Sequence, residues 1–262
     1  MADVVLYEVA ERIATVTLNR PEARNALSRE VRRQLPEALR QADADDDVDV
    51  IILTGADPAF CAGIDLKEMA ASEGGFTEPV LDEAGRRGPF PDVEKLVIGA
   101  VNGVAVTGGF EVALNCDFLV ASERARFADT HARVGVQPGW GLTVLLPQAV
   151  GVRRAKELSA TGNFLDAETA LAWGLVNHVV PHDELLPFTR SLATDIVSND
   201  QAGVRRITRT YREGALLSGE EAWRLESRVG GEWLRSGAGG SAASIEERRQ
   251  AVIDRGRAQT SR

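Results

Sequence analysis

Residues 100–117 read AVNGVAVTGGFEVALNCD, and residues 59–69 read AFCAGIDLKEM. Each carries an apolar run into a helix through a turn that contains glycine. VIGAVNG at 97–103 has the continuous apolar character of a short buried strand, and a helix follows from near Gly108. Glycine lets a backbone approach another group closely. The first N–H groups of a helix have no partner within it and point at whatever lies there. Two such turns facing one another would hold one carbonyl oxygen between two backbone N–H groups, which is an oxyanion hole. Taken singly, each turn is equally a packing device. Neither has the spacing of a dinucleotide fingerprint or of a phosphate loop.

Working outward, residues 4–18 hold two β-branched runs around Glu11-Arg12 and predict a hairpin. Ser28 is placed to cap a helix whose apolar positions are Val31, Leu35, Ala38, Leu39 and Ala42. Pro36 falls inside that pattern and is expected to bend or delay the helix, at a cost of ~3 kcal/mol. Asp residues crowd 43–49 and read as a solvated loop at the helix end. VDVIILTG at 48–55 is a buried strand, and DFLVAS and ARFAD at 117–129 are two more. Residues 71–92, rich in Gly, Pro and charge, read either as a mobile insertion over a pocket or as a plain linker. From Pro138 the chain turns mainly helical. Asp166 is expected to cap a helix that Gly174 stops, and LVNHVV at 175–180 is a last strand. Beyond about residue 183 only amphipathic helices remain, with Ala222, Leu225, Val229 and Trp233 at helical spacing. GAGGSA breaks this pattern at 237–242, and it resumes after the break.

The chain of 262 residues is 44% hydrophobic and 26% charged, which is globular composition. A net charge of −9 argues against nucleic acid or an anionic membrane as partner. No run of eighteen apolar residues exists to span a bilayer, and the N-terminus does not read as a signal peptide. Two cysteines, Cys61 and Cys116, make neither a disulfide framework nor a zinc site, so no metal is expected and a reducing cytoplasm is the default. His178 and His182 flank a strand end and read as surface or core-edge residues. No Ser–His–Asp spacing stands out.

NRPEARNAL at 19–27, AFCAGIDLKEM, AVNGVAVTGGFEVALNCD and the stretch from GVQPGWG to AVG at 135–151 together resemble the enoyl-CoA hydratase/isomerase (crotonase) family. The resemblance runs from about residue 5 to 200, in motif, order and spacing. It implies an α/β fold built as a spiral of ββα units, with a C-terminal helical region that trimerises. The core would be residues 1–195 and the oligomerisation region 196–262, in trimers or in hexamers. It further implies an acyl-CoA thioester as substrate, with coenzyme A as part of the substrate and no separate cofactor. Carried over by motif, the N–H groups of Ile64 and Gly108 would form the oxyanion hole. Ala62, Gly63, Ile64, Asp65, Leu66 and Lys67 would line the adenine and pantetheine channel, with Gly139 and Trp140 also at the substrate. Arg24 and Lys67 either meet the nucleotide phosphates or are plain surface charges. Glu111 would be the carboxylate that works with water across the double bond.

The chain departs from the family pattern at His131, where hydratases place a second glutamate. Asp129 lies two residues away and is expected to point elsewhere or to cap the turn. Two readings of His131 stand. Either it shares the acid–base work with Glu111, titrating between about pH 5 and 8 as imidazole normally does, or it is structural and hydration is lost or slow. PGWGLTVLL at 138–146 also departs, since Trp140, Leu142 and Leu145 replace small and basic residues. Trp140 is expected to pack beneath the pocket or to narrow it. Ser244 and Glu247 stand where an aromatic and a lysine are common, leaving Arg248 or Arg249 as substitutes. The resulting expectation is an enoyl-CoA hydratase of fatty acid metabolism. Its rivals are an isomerase working with one base and a non-catalytic acyl-CoA-binding protein.

Overall fold

A computed structural model describes residues 3–71, 88–236, 249, 252–253 and 255–257. The segment read as an insertion, the GAGGSA break, Ser244, Glu247 and Arg248 lie wholly or largely outside these residues. Contacts divide the chain into two units, Met1–Arg205 and Arg206–Arg262.

The first unit opens with the expected hairpin, β1 (Val5–Ala10) against β2 (Ile13–Leu18). Helix α1 (Arg29–Ala44) follows, and the Ser28 side chain accepts the Val31 N–H at 3.2 Å. Its five buried residues are the five apolar positions of the sequence pattern. Pro36 sits inside the helix without delaying its start. Burying large aliphatics such as Val31, Leu35 and Leu39 is worth about 1.5–3 kcal/mol each, which outweighs the proline penalty.

Three repeats then build the spiral. The first is β3 (Val50–Gly55), β4 (Ala59–Cys61) and α2 (Leu66–Ala71). The second is β5 (Leu96–Val101), β6 (Val104–Val106) and α3 (Gly108–Leu114). The third is β7 (Phe118–Ser122), β8 (Arg126–Ala128) and α4 (His131–Val134). The chain continues through α5 (Leu142–Val150), α6 (Val152–Thr161), β9 (Leu165–Asp166), α7 (Ala167–Trp173), β10 (His178–Val180) and α8 (Leu185–Val197). Asp166 and Gly174 bound α7 as expected, with Asp166 accepting the Thr169 N–H at 2.7 Å.

Within each repeat the first strand enters one sheet and the second strand another. The larger sheet has the order β1-β2-β3-β5-β7-β10, and the smaller has β4-β6-β8-β9. Strands of successive repeats pair in parallel in both sheets. Consequently the three turns that lead from β4, β6 and β8 into their helices lie side by side at one corner.

Residues of β3 alternate between the two faces of the larger sheet, as a strand period of two requires. Ile51 and Leu53 join the core beneath α1, with Phe60, Phe110 and Phe127. Val50 and Ile52 face the other way and pack with Leu185 and Ala193 of α8. The first helix of the helical tail therefore covers its own sheet. The aspartate run is only partly solvated. Asp46 and Asp47 are exposed, whereas Asp43 accepts the N–H groups of Glu94 and Lys95. Asp49 is buried against Arg12, at 2.5 Å from its Nε.

The second unit carries α9, which spans Gln201–Gly214 across the division, and α10 (Gly219–Ser236). Leu225 is buried there, and Arg206 stacks over the Trp233 ring. Ile207, Tyr211, Trp223 and Leu234 are exposed.

Candidate active site

The corner where the three turns meet carries most of the residues singled out in the sequence. In the first turn Gly63 has φ +86°, and a Cβ there would lie 2.8 Å from the Val106 carbonyl and 3.4 Å from the Gly108 nitrogen. Only glycine fits both the conformation and the approach. Ile64 forms a parallel bridge with Leu27, made by Leu27 N–H to Gly63 C=O and Asp65 N–H to Leu27 C=O. This bridge uses the groups on either side of Ile64, so the Ile64 N–H faces away from it. In the second turn Thr107 sits at φ +55°, ψ −116°, an unfavourable region for a β-branched residue. Its hydroxyl meets that of Thr130 at 2.5 Å. Gly108 opens α3, so its N–H has no partner within the helix. A side chain on Gly109 would collide with the Cys61 carbonyl, which makes glycine obligatory where α3 crosses β4.

Glu111 projects from α3 and is 2% exposed. Its Oε1 accepts the Trp140 N–H at 2.7 Å and the Leu142 N–H at 3.4 Å. The departure from the usual glycine-rich pattern therefore still supplies the backbone donors that hold the carboxylate. Its Oε2 lies 3.4 Å from Nε2 of His131, which the third turn brings in. His131 is likewise buried.

Asp129 does cap the turn, accepting the His131 N–H at 3.1 Å. It does not point elsewhere, because the same Oδ1 lies 2.6 Å from Nδ1 of the imidazole. Burial alone would push the His131 pKa down, but the hydrogen bonds and charges of Asp129 and Glu111 outweigh it and raise it to about 9. The titration expected between pH 5 and 8 therefore moves upward. For Asp129, burial works against ionisation, yet its hydrogen bonds with His131 and Ser159 hold its pKa below the usual carboxylate value.

These groups surround a cavity of about 560 Å³. Ala62, Ile64 and Leu66 line it from the first turn, and Thr107 and Glu111 from the second. Thr130 and His131 come from the third, and Gly139 and Trp140 close it. The Trp140 indole also fills the space beside Gly108, so it both lines the cavity and packs under the second turn.

Other expected residues stand apart from this lining. Arg24 and Lys67 are exposed, and the Arg24 carbonyl accepts the Ala62 N–H. Asp65 pairs with Arg20 at 3.0 Å and accepts the Lys67 and Glu68 N–H groups, so its carboxylate is occupied in holding the turn. Asn25, not singled out in the sequence, is fully buried and donates to the Ala56 and Ala59 carbonyls, which ties down the connection from β3 to β4. Both cysteines are buried free thiols with raised pKa values, Cys61 to about 12. Ser122, His182 and Asp57 do form a chain, with contacts of 3.0 and 2.9 Å. Ser122 is fully buried, however, and its hydroxyl already accepts the Arg124 N–H, so the chain ties loops together.

The sequence profile of the enoyl-CoA hydratase/isomerase family matches residues 8–251. The chain belongs to this family. Its members include a probable peroxisomal enoyl-CoA hydratase 1 of Arabidopsis thaliana, 42% identical over 82% of this chain and 80% of that protein. A short-chain-enoyl-CoA hydratase of Clostridium acetobutylicum is 37% identical over 87% of this chain and 88% of its own. Among solved structures, an enoyl-CoA hydratase from Mycobacterium smegmatis superposes with a TM-score of 0.74 at 50% identity. It covers 89% of this chain and 99% of its own. One from Mycobacterium tuberculosis reaches a TM-score of 0.84 at 33% identity, covering 97% and 96%. The family fold is the ββα spiral described above, and among the described residues no helix is long and apolar enough to cross a membrane.

Proposed function

We propose that the protein is an enoyl-CoA hydratase, a lyase that adds water across the double bond of an enoyl-CoA thioester in fatty acid metabolism. The observation that carries this reading is a buried carboxylate and a buried imidazole 3.4 Å apart at one cavity, which Ile64 of the first turn also lines. The activity named for its relatives supports it.

In this reading the Ile64 and Gly108 N–H groups hold the thioester oxygen. Charge accumulates on that oxygen as the enolate forms, so donors fixed there stabilise the transition state more than the substrate. Glu111 takes a proton from water while the water oxygen bonds to the β-carbon. His131, as imidazolium, gives its proton to the α-carbon. The proton now on Glu111 returns to His131 across their 3.4 Å contact, which resets the pair. A carboxylate with an imidazolium held on Asp129 carries a net charge of −1. Hydration involves no net oxidation or reduction, so no cofactor is required beyond the coenzyme A of the substrate.

The test is loss of the conjugated thioester absorbance when crotonyl-CoA is added, followed across pH. Because the His131 pKa is raised, its acid form persists through neutrality. The rate should hold from about pH 7 to 8 and fall as pH rises through about 9. His131→Ala should abolish that limb along with most of the activity. Double-bond migration without hydration would favour the one-base isomerase, and tight acyl-CoA binding without turnover the binding protein.

For the assembly we propose a trimer or hexamer. Tyr211 and Leu234, at 76% and 80% exposure, are apolar side chains that association would dry. A concentration-independent monomer in sedimentation velocity would sink this proposal. Two buried free thiols suit the reducing cytoplasm we propose as its location.

A further inference from the structure

We infer that Asp129 is a positioning residue, whose carboxylate holds the His131 ring by Nδ1 so that a protonated Nε2 faces Glu111 and the cavity. The assignment rests on the hydration reading for its catalytic meaning, but its geometry stands by itself. Asp129 is 1% exposed, at the end of β8, and it grips the residue two positions on by both backbone and ring. A hydrogen bond with Ser159 of α6 fixes the carboxylate from a second element. The line of contacts runs from Ser159 through Asp129 and His131 to Glu111, which Trp140 and Leu142 hold at the far end.

Each ring nitrogen of His131 therefore has a carboxylate before it. A neutral imidazole has one N–H and can satisfy one carboxylate as donor, whereas imidazolium satisfies both. The charged groups facing the ring are Asp129 from its own turn and Glu111 from α3. Helix α6 reaches the Asp129 carboxylate, not the ring, through the neutral Ser159 hydroxyl. A glutamate at position 131 would carry its acidic proton without any such help. Asp129 matters because a histidine stands there.

Asp129→Asn keeps an oxygen of the same size near Nδ1 but removes the charge. The amide can also turn its NH₂ toward the ring and favour the wrong tautomer. The measurement is ¹⁵N NMR of the imidazoles in the full-length protein, where three histidines make assignment tractable. It is paired with steady-state hydration of crotonyl-CoA. In the native protein His131 should titrate near 9. In Asp129→Asn the midpoint should fall by a unit or more, and the alkaline limb of kcat should move with it. The value of kcat should drop roughly a hundredfold, the low end for positioned acid–base groups, with KM little changed. His131→Glu combined with Asp129→Asn should be at least as active as His131→Glu alone, because a nearby anion no longer helps. An unmoved midpoint in folded Asp129→Asn overturns the proposal. So does a double variant that loses as much as Asp129→Asn does beside histidine. If the native protein hydrates no enoyl-CoA, the functional reading fails while the NMR midpoint still decides the role of Asp129.

Discussion

Glu111→Gln is expected to lower turnover by about 10²–10⁴-fold while leaving acyl-CoA affinity nearly unchanged. The substitution is close to isosteric. The amide oxygen can still accept the Trp140 and Leu142 N–H groups, so the turn at 139–142 keeps its anchor. Two things are lost. The base that takes the water proton disappears, and an amide NH₂ now meets the His131 Nε2–H, donor against donor. The affinity should survive because the proposed mechanism holds the thioester oxygen by backbone groups that this change does not touch. Steady-state kinetics beside a direct acyl-CoA titration check the result. Equal loss of rate and affinity would point instead to a role in folding or in binding.

Gly108→Pro is expected to bring hydration below detection. Proline deletes one of the two donors, and loss of one such donor alone costs about 10²–10³-fold. The first helical position normally tolerates proline. Here the preceding Thr107 lies at ψ −116°, which conflicts with the extended conformation a residue before proline prefers. The turn should therefore distort as well. Gly108→Ala separates the two effects. It keeps the N–H but places a Cβ 2.8 Å from the Trp140 ring, so it should cost less than proline. Circular dichroism and melting establish that both variants fold. A folded Gly108→Pro with near-normal activity would remove the backbone cradle from the mechanism.

The parts of this fold that could be read from sequence are those with a repeated signal. Helix α1 announced itself through five apolar positions and a serine cap, and β3 through an unbroken apolar run. The strands of the smaller sheet gave almost none. β4, β6 and β8 are three residues each, too short for a period to show, and β4 and β6 read as parts of turns. Yet pairing of β4 with β6 is what sets the Ile64 turn beside Gly108. That neighbourhood came from the family resemblance, not from pattern. Asp129 stood two residues from His131, but its carboxylate could be placed only once the turn through Thr130 was known. The pKa of His131 was out of reach for a similar reason. One flanking anion, Asp129, needs the turn to place it, and the other, Glu111, comes from α3, twenty residues earlier in the chain.

The groups of the proposed mechanism are spread over three repeats, and this has a consequence for how the protein acquires activity. One repeat holds the first proposed donor, the next holds the second proposed donor and the Glu111 carboxylate, and the third holds the His131 imidazole. No single repeat holds all of these groups. The third repeat is also the last of the three in the chain, so a nascent polypeptide remains inert until β8 docks beside β6. Recovery of turnover during refolding thus marks the docking of β8 beside β6, whatever fraction of helix has already formed.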